Sequence, residues 1–128
     1  MARVDTRALG GGAEQLGARV LSKSGLTLIE RNFRCRHGEI DLIALDGRQL
    51  VFAEVRYRGP GSLSRARLTV DTHKQRKLIR TAALYVARRP RFANSVMRFD
   101  VIAIDEDPSG TQTTEWIRDA FRPTDSRL

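Results

Sequence analysis

The stretch Glu39-Ile-Asp-Leu-Ile-Ala-Leu-Asp-Gly-Arg-Gln-Leu-Val-Phe-Ala-Glu-Val-Arg-Tyr-Arg58 constrains this chain more than any other. Two segments of alternating apolar residues flank Asp46-Gly47. Asp-Gly accepts the left-handed dihedrals of a two-residue type I′ turn, so the stretch predicts a β-hairpin. With Asp46 and Gly47 as the turn residues, Glu39 faces Glu54, Asp41 faces Phe52 and Ile43 faces Leu50. Alternation then places Ile40, Leu42, Ala44, Val51, Ala53 and Val55 on one face, which is apolar throughout and belongs against the core. The other face carries Leu45, Ile43, Leu50 and Phe52 near the turn. Asp41, Glu39, Glu54 and Arg56 follow, away from it.

The rest of the chain supplies helices to cover such a sheet. Residues 1–12, ending in three glycines, read as a flexible tail. From Ala13, apolar residues at 16, 17, 20 and 21 make one helical stripe, and Gly25 is a plausible stop. A strand is expected near Thr27 to Arg34. Residues 59–64 read as a mobile loop, and Leu68 to about Arg89 as a long helix ended by Pro90, with Leu78, Ile79, Ala82, Tyr85 and Val86 on its buried side. Val96 to Asp105 alternates as a strand, Asp107 to Gly110 turns, and Thr113 to Ile117 makes a short last strand before a C-terminal tail over 120–128. The expected class is α/β: one domain over 13–119, with a mixed central sheet flanked by helices.

The hairpin acids suggest chemistry. In the expected register Asp41 and Glu54 are diagonal neighbours, with α-carbons about 7 to 8 Å apart. Their side chains could share one divalent cation, magnesium taking oxygen ligands at about 2.1 Å. Glu39 and Glu54, directly opposite, would repel unless a cation or the Arg56 guanidinium lay between them. The plainer alternative is a solvated sheet edge balanced by arginines, with Glu39 paired to Arg56 or Arg58.

Charge points to a polyanionic partner. The chain has 23 Lys plus Arg against 15 Asp plus Glu, a formal charge of +8. From Arg56 to Arg91 there are 11 basic residues and a single acid, Asp71, so the excess starts beside the hairpin acids. Arg58, Arg65, Arg67, Lys74, Arg76, Lys77 and Arg80 are the candidate phosphate contacts, salt-sensitive and largely indifferent to sequence. Cys35 is the one cysteine, which excludes an intrachain disulfide; with His37 and His73 it offers too few ligands for a closed zinc site. No apolar run has the length of a membrane span, and a soluble, cytoplasmic protein is expected.

The segments Gly38-Glu39-Ile40-Asp41-Leu42-Ile43-Ala44 and Val51-Phe52-Ala53-Glu54-Val55-Arg56-Tyr57-Arg58 resemble those of the bacterial family UPF0102, also called the YraN family. The likeness extends to Gly12-Ala13-Glu14, Lys74-Gln75-Arg76-Lys77-Leu78, Arg98-Phe99-Asp100-Val101 and Glu115-Trp116-Ile117. Members of that family look like distant relatives of archaeal Holliday-junction resolvases and of the restriction-endonuclease-like PD-(D/E)xK superfamily. The resemblance implies that fold, with Glu14 as the first-helix acid and Asp41 and Glu54 as ligands of Mg²⁺ or Mn²⁺; Glu39, on the same expected face as Asp41, could serve as an outer ligand or water holder. The lysine expected two residues after Glu54 is Arg56 here, a poor base because arginine stays protonated. Arg56 could still orient water or bind phosphate, and Lys74 could supply a cation in its place.

The resulting expectation is a metal-dependent endonuclease or resolvase-like protein that hydrolyses phosphodiester bonds, with nucleic acid, DNA above all, as partner. Branched DNA would suit a homodimer, since related enzymes often cut as two-fold pairs. The alternatives are a nucleic-acid-binding protein that has lost catalysis, or an adaptor in DNA repair or RNA processing.

Overall fold

The computed structural model describes residues 6–62 and 65–123, without the side chains of 6–11 and of Leu68. The expected tails and loop therefore fall partly outside the described residues, at 1–5, 63–64 and 124–128.

The elements follow the order read from the sequence: α1 (Thr6–Lys23), β1 (Thr27–Cys35), β2 (Gly38–Asp46), β3 (Gln49–Arg58), α2 (Thr72–Ala87), β4 (Val96–Glu106) and β5 (Gln112–Phe121), with 3-10 turns at Ala66–Thr69 and Pro90–Phe92. The five strands form one sheet in sequential order. All neighbours are antiparallel except β3 and β4. A parallel pair needs a long crossover, and α2 provides it.

Each face of the sheet carries a helix and a core. On one side Ala18 and Leu21 of α1 pack with Leu42, Ala44, Val51, Ala53 and Ile102. On the other, Leu78, Ile79, Ala82 and Tyr85 of α2 pack with Ile43, Leu50, Phe52, Phe99 and Val101. Both faces of the central strands are thus buried, as is usual where a crossover helix covers a parallel pair. Gly17 lets α1 lie close, because a Cβ there would come within 2.9 Å of Val55 Cγ2.

Several boundaries differ from the sequence reading. Helix α1 begins at Thr6, so the three glycines lie in its early turns and not in a tail. Leu68 falls in a 3-10 turn, and α2 starts at Thr72 because the Asp71 carboxylate caps it, accepting from the Lys74 N–H at 2.9 Å. Strand β5 runs on to Phe121, past Ile117 and into the expected tail. A bulge with Asp119 at φ 53° carries it, and the Asp119 N–H donates to the buried Asp100 carboxylate at 2.9 Å.

The hairpin differs in a way that matters for the site. Its ladder runs from Asp46↔Gln49 to Leu42↔Ala53, so the turn residues are Gly47 and Arg48, not Asp46 and Gly47. Only Gly47 of the two has positive φ, at 60°, the type II′ pattern in place of type I′. Asp46 stays in the strand, its carboxylate held by Arg98 at 2.7 Å. The expected pairs Glu39–Glu54, Asp41–Phe52 and Ile43–Leu50 are therefore replaced; Phe52 faces Ile43, and Leu50 faces Leu45. Because the slip is two positions, side chains in the paired region keep their faces. Ile40, beyond it, does not: with Phe33 opposite, it joins the α2 side. The alternation breaks where β1 carries Asn32 at φ 54°.

Candidate metal centre and its basic rim

One step past Leu42↔Ala53, the observed register brings Asp41 opposite Glu54, where the expected register had them diagonal. The ladder gives way here, and the Val55 N–H is donated to Asp41 Oδ2 at 2.8 Å. Burial and then the neighbouring Glu54 charge push the Asp41 carboxyl up to about 8 from its ordinary 3.8. Two acids facing each other in a partly buried site cannot both ionise cheaply without a cation.

Helix α1 adds a third acid. Glu14 lies one turn before Gly17, and its carboxylate reaches Asp41 and Glu39: a ligand oxygen from each of the three lies within 4.8 Å of the others. These three acids could hold a divalent metal ion. Glu14 is also raised, by burial first and then by Glu39. Asn32, on β1, lies 2.9 Å from both Glu14 oxygens and donates to both when its amide nitrogen faces them. Its left-handed backbone aims it there, and nothing in the sequence pattern marked it. Glu39 forms its ion pair with Arg34, not with Arg56 or Arg58.

Glu54 is 4% exposed. Its Oε2 lies 2.9 Å from Lys74 Nζ and 3.5 Å from the Arg56 guanidinium. Arg56 donates through Nε to Thr69 Oγ1 at 2.5 Å, and Thr69 in turn donates to the Ala66 carbonyl at 2.7 Å. Gly38, Glu39, Asp41, Glu54, Lys74, Lys77 and Leu78 line a cleft of about 130 Å³. Acids from the hairpin and ammonium groups from α2 thus share one opening.

The other basic candidates divide. Arg76 and Arg80 are exposed on α2, beside Lys77. Arg58 and Arg65 instead line a separate cleft of about 450 Å³ together with Asp105, Glu106, Asp107 and Glu115. Arg67 is paired with Glu115 at 3.1 Å. Of the basic α2 residues, Lys74 and Lys77 rim the acidic cleft, while Arg76 lines a third cleft with Thr72, Gln75, Ile79 and Phe121. Asp100 is fully buried and takes two bonds from Arg98, at 3.0 and 2.9 Å, and one from the Trp116 indole at 2.9 Å. It anchors Arg98, and Trp116 packs on the sheet.

Comparison with known proteins agrees with the motifs. Residues 13–104 match the uncharacterised protein family UPF0102. A UPF0102 protein of Alcanivorax borkumensis is 46% identical over 109 residues, covering 85% of this chain and 87% of its own. One from Stutzerimonas stutzeri is 45% identical over 117 residues, covering 91% and 97% respectively. One from Pseudomonas syringae pv. syringae is 41% identical over 121 residues, covering 94% and 98%. The chain belongs to the protein family UPF0102.

Proposed function

We propose that the protein is a metal-dependent nuclease of restriction-endonuclease-like architecture, which hydrolyses phosphodiester bonds in DNA. One observation carries this reading: the half-buried Asp41 and the buried Glu54, on adjacent strands, open into the same cleft as Lys74 and Lys77. The mixed sheet with a helix on each face, and the resemblance of the hairpin to the PD-(D/E)xK pattern, support the same reading.

The donor set suits a hard cation. Every ligand is a carboxylate oxygen, and no sulfur or imidazole contributes, which favours Mg²⁺ or Mn²⁺ over zinc or copper. Asp41, with Glu14 and Glu39 beside it, would hold the ion, and Glu54, which the PD-(D/E)xK pattern makes a ligand, would join them from the neighbouring strand. When bound, such a cation offsets charge on a scissile phosphoryl group and acidifies water. Lys77, Arg76 and Arg80 bind backbone phosphates along α2, a contact that orients the duplex without reading its bases. An enzyme of this kind would work in the cytoplasm, where it meets chromosomal DNA.

The test is cleavage of labelled linear, flapped and four-way-junction DNA with Mn²⁺, Mg²⁺ or chelator, by wild type, Asp41→Ala and Glu54→Ala. Metal-dependent products lost in both variants are expected. A second reading has its own support: Arg56 stands where lysine is usual and is held by Thr69. If DNA stays uncut yet bound equally by all three proteins, the family member is a binding protein with a retired site.

A further inference from the structure

We infer that Lys74, in the first turn of α2, supplies the catalytic ammonium that the hairpin lacks, acting on the water and phosphate at the Asp41–Glu54 site. This rests on the nuclease reading above and names a group within it.

Arg56 is poorly placed for that work. Its Nε is taken up by Thr69 at 2.5 Å, and its terminal nitrogen stands 3.5 Å from Glu54, at the limit of a hydrogen bond. That makes Arg56 a positioning residue, tying β3 to the 3-10 turn Ala66–Thr69. Lys74 Nζ, in contrast, lies 2.9 Å from Glu54 Oε2. Its side chain is 39% exposed, so the ammonium touches both the buried carboxylate and the open cleft.

The approach of Lys74 is built into the helix. Asp71 caps α2 on the Lys74 N–H, and Leu78 and Ile79, one turn on, are buried against the sheet. The backbone of Lys74 is thus held on both sides. An ammonium also has the right donors. It carries three on a compact centre, so it can keep one on Glu54 and offer two others to water and to a non-bridging phosphate oxygen.

In the hydrolysis, a lone pair of the water oxygen forms the new bond to phosphorus. The bond from phosphorus to the leaving oxygen breaks, with its electron pair passing to that oxygen. The leaving oxygen gains a proton, the attacking water releases one to solvent, and one water is added overall. Lys74 stays charged throughout. It orients the water and offsets the negative charge that builds on the phosphoryl oxygens.

The competing account is that Lys74 serves only as counterion to Glu54. A bound divalent cation would then replace it, and Lys74 would be dispensable at saturating metal. The experiment compares wild type, Lys74→Met and Lys74→Arg in two measurements: Mn²⁺ binding to the protein alone, by electron paramagnetic resonance, and cleavage of DNA at saturating Mn²⁺. Thermal melting with and without Mn²⁺ checks that each variant is folded. The expected result for Lys74→Met is Mn²⁺ affinity equal to or tighter than wild type, since a competing charge is gone, with kcat down about 100-fold or more and KM little changed. Lys74→Arg, which keeps the charge, should recover part of the loss even if Lys74→Met melts early. Wild-type kcat in Lys74→Met, or weakened Mn²⁺ binding in both variants, overturns the inference while leaving the nuclease reading standing. Uncut DNA with wild type itself overturns both.

Discussion

Replacing Asp41 with asparagine removes a carboxyl that the fold holds in an unfavourable place. Burial and Glu54 push Asp41 up to about 8, against 3.8 ordinarily. The native pKa thus lies above the unfolded one, so the native chain keeps a proton that the unfolded chain has lost. The associated stability is complete below about pH 4, declines through the window up to about pH 8, and is gone above it. Each unit is worth about 1.4 kcal/mol, which sets a ceiling of about 5 to 6 kcal/mol. Sharing of the proton with Glu54, and water in the cleft, would reduce this to about 2 to 4 kcal/mol. Asparagine keeps an oxygen to accept the Val55 N–H and does not titrate, so the difference between the two proteins isolates the effect. Urea unfolding followed by Trp116 fluorescence, in chelator from pH 5 to 9, is the assay. Wild type should lose stability relative to Asp41→Asn as the pH rises from 5, by about 2 to 4 kcal/mol in all, and level off by about pH 8. Mn²⁺ should flatten the slope in wild type alone. A difference that stays constant from pH 5 to 8 would mean that Asp41 ionises normally in the native state, and would refute the argument from burial.

Two further outcomes follow from the basic rim and the buried lock. Alanine at Arg76, Lys77 or Arg80 should each lower the slope of log affinity against log salt by about 0.9 for duplex DNA, read by fluorescence anisotropy; an unchanged slope in the triple variant would move the DNA off α2. Asp100→Asn removes the buried one of the two carboxylates paired with Arg98 and should cost about 3 to 5 kcal/mol in urea unfolding. A loss under about 1 kcal/mol would show that Asp46 and Gln49, which also accept from Arg98, suffice.

Much of the fold was legible because the signals were local. Alternation marked β2, β3 and β4, the stripe of Leu78, Ala82 and Tyr85 marked the buried side of α2, and Asp46-Gly47 marked a turn within one residue of its place. The misreadings have physical causes. Asp-Gly suits a turn at either of two registers, and the choice fell to the type II′ geometry of Gly47-Arg48, with Asp46 held in its strand by Arg98, a residue far along the chain. The length of β5 was hidden because Asp119 and Ala120 carry no strand pattern of their own; Asp100 binds the bulge that prolongs it. The acids Glu14, Glu39, Asp41 and Glu54 were all named from sequence, whereas Asn32 and Thr69 were not. Each of those depends on an orientation that residue type does not specify.

By itself the sequence determined the order of the elements, the faces of the paired hairpin strands, and the presence of acids within apolar strands beside a basic helix. Those follow from side-chain alternation and helical period, which act over a few residues. Tertiary structure decided that Asp41 would stand opposite Glu54, that Gly17 would let α1 bring Glu14 to Asp41 and Glu39, and that Lys74 rather than Arg56 would come closest to Glu54. These outcomes hang on how two helices seat on opposite faces of a twisted sheet, where burying Leu21 on one side and Leu78, Ile79 and Tyr85 on the other sets positions that no local pattern encodes.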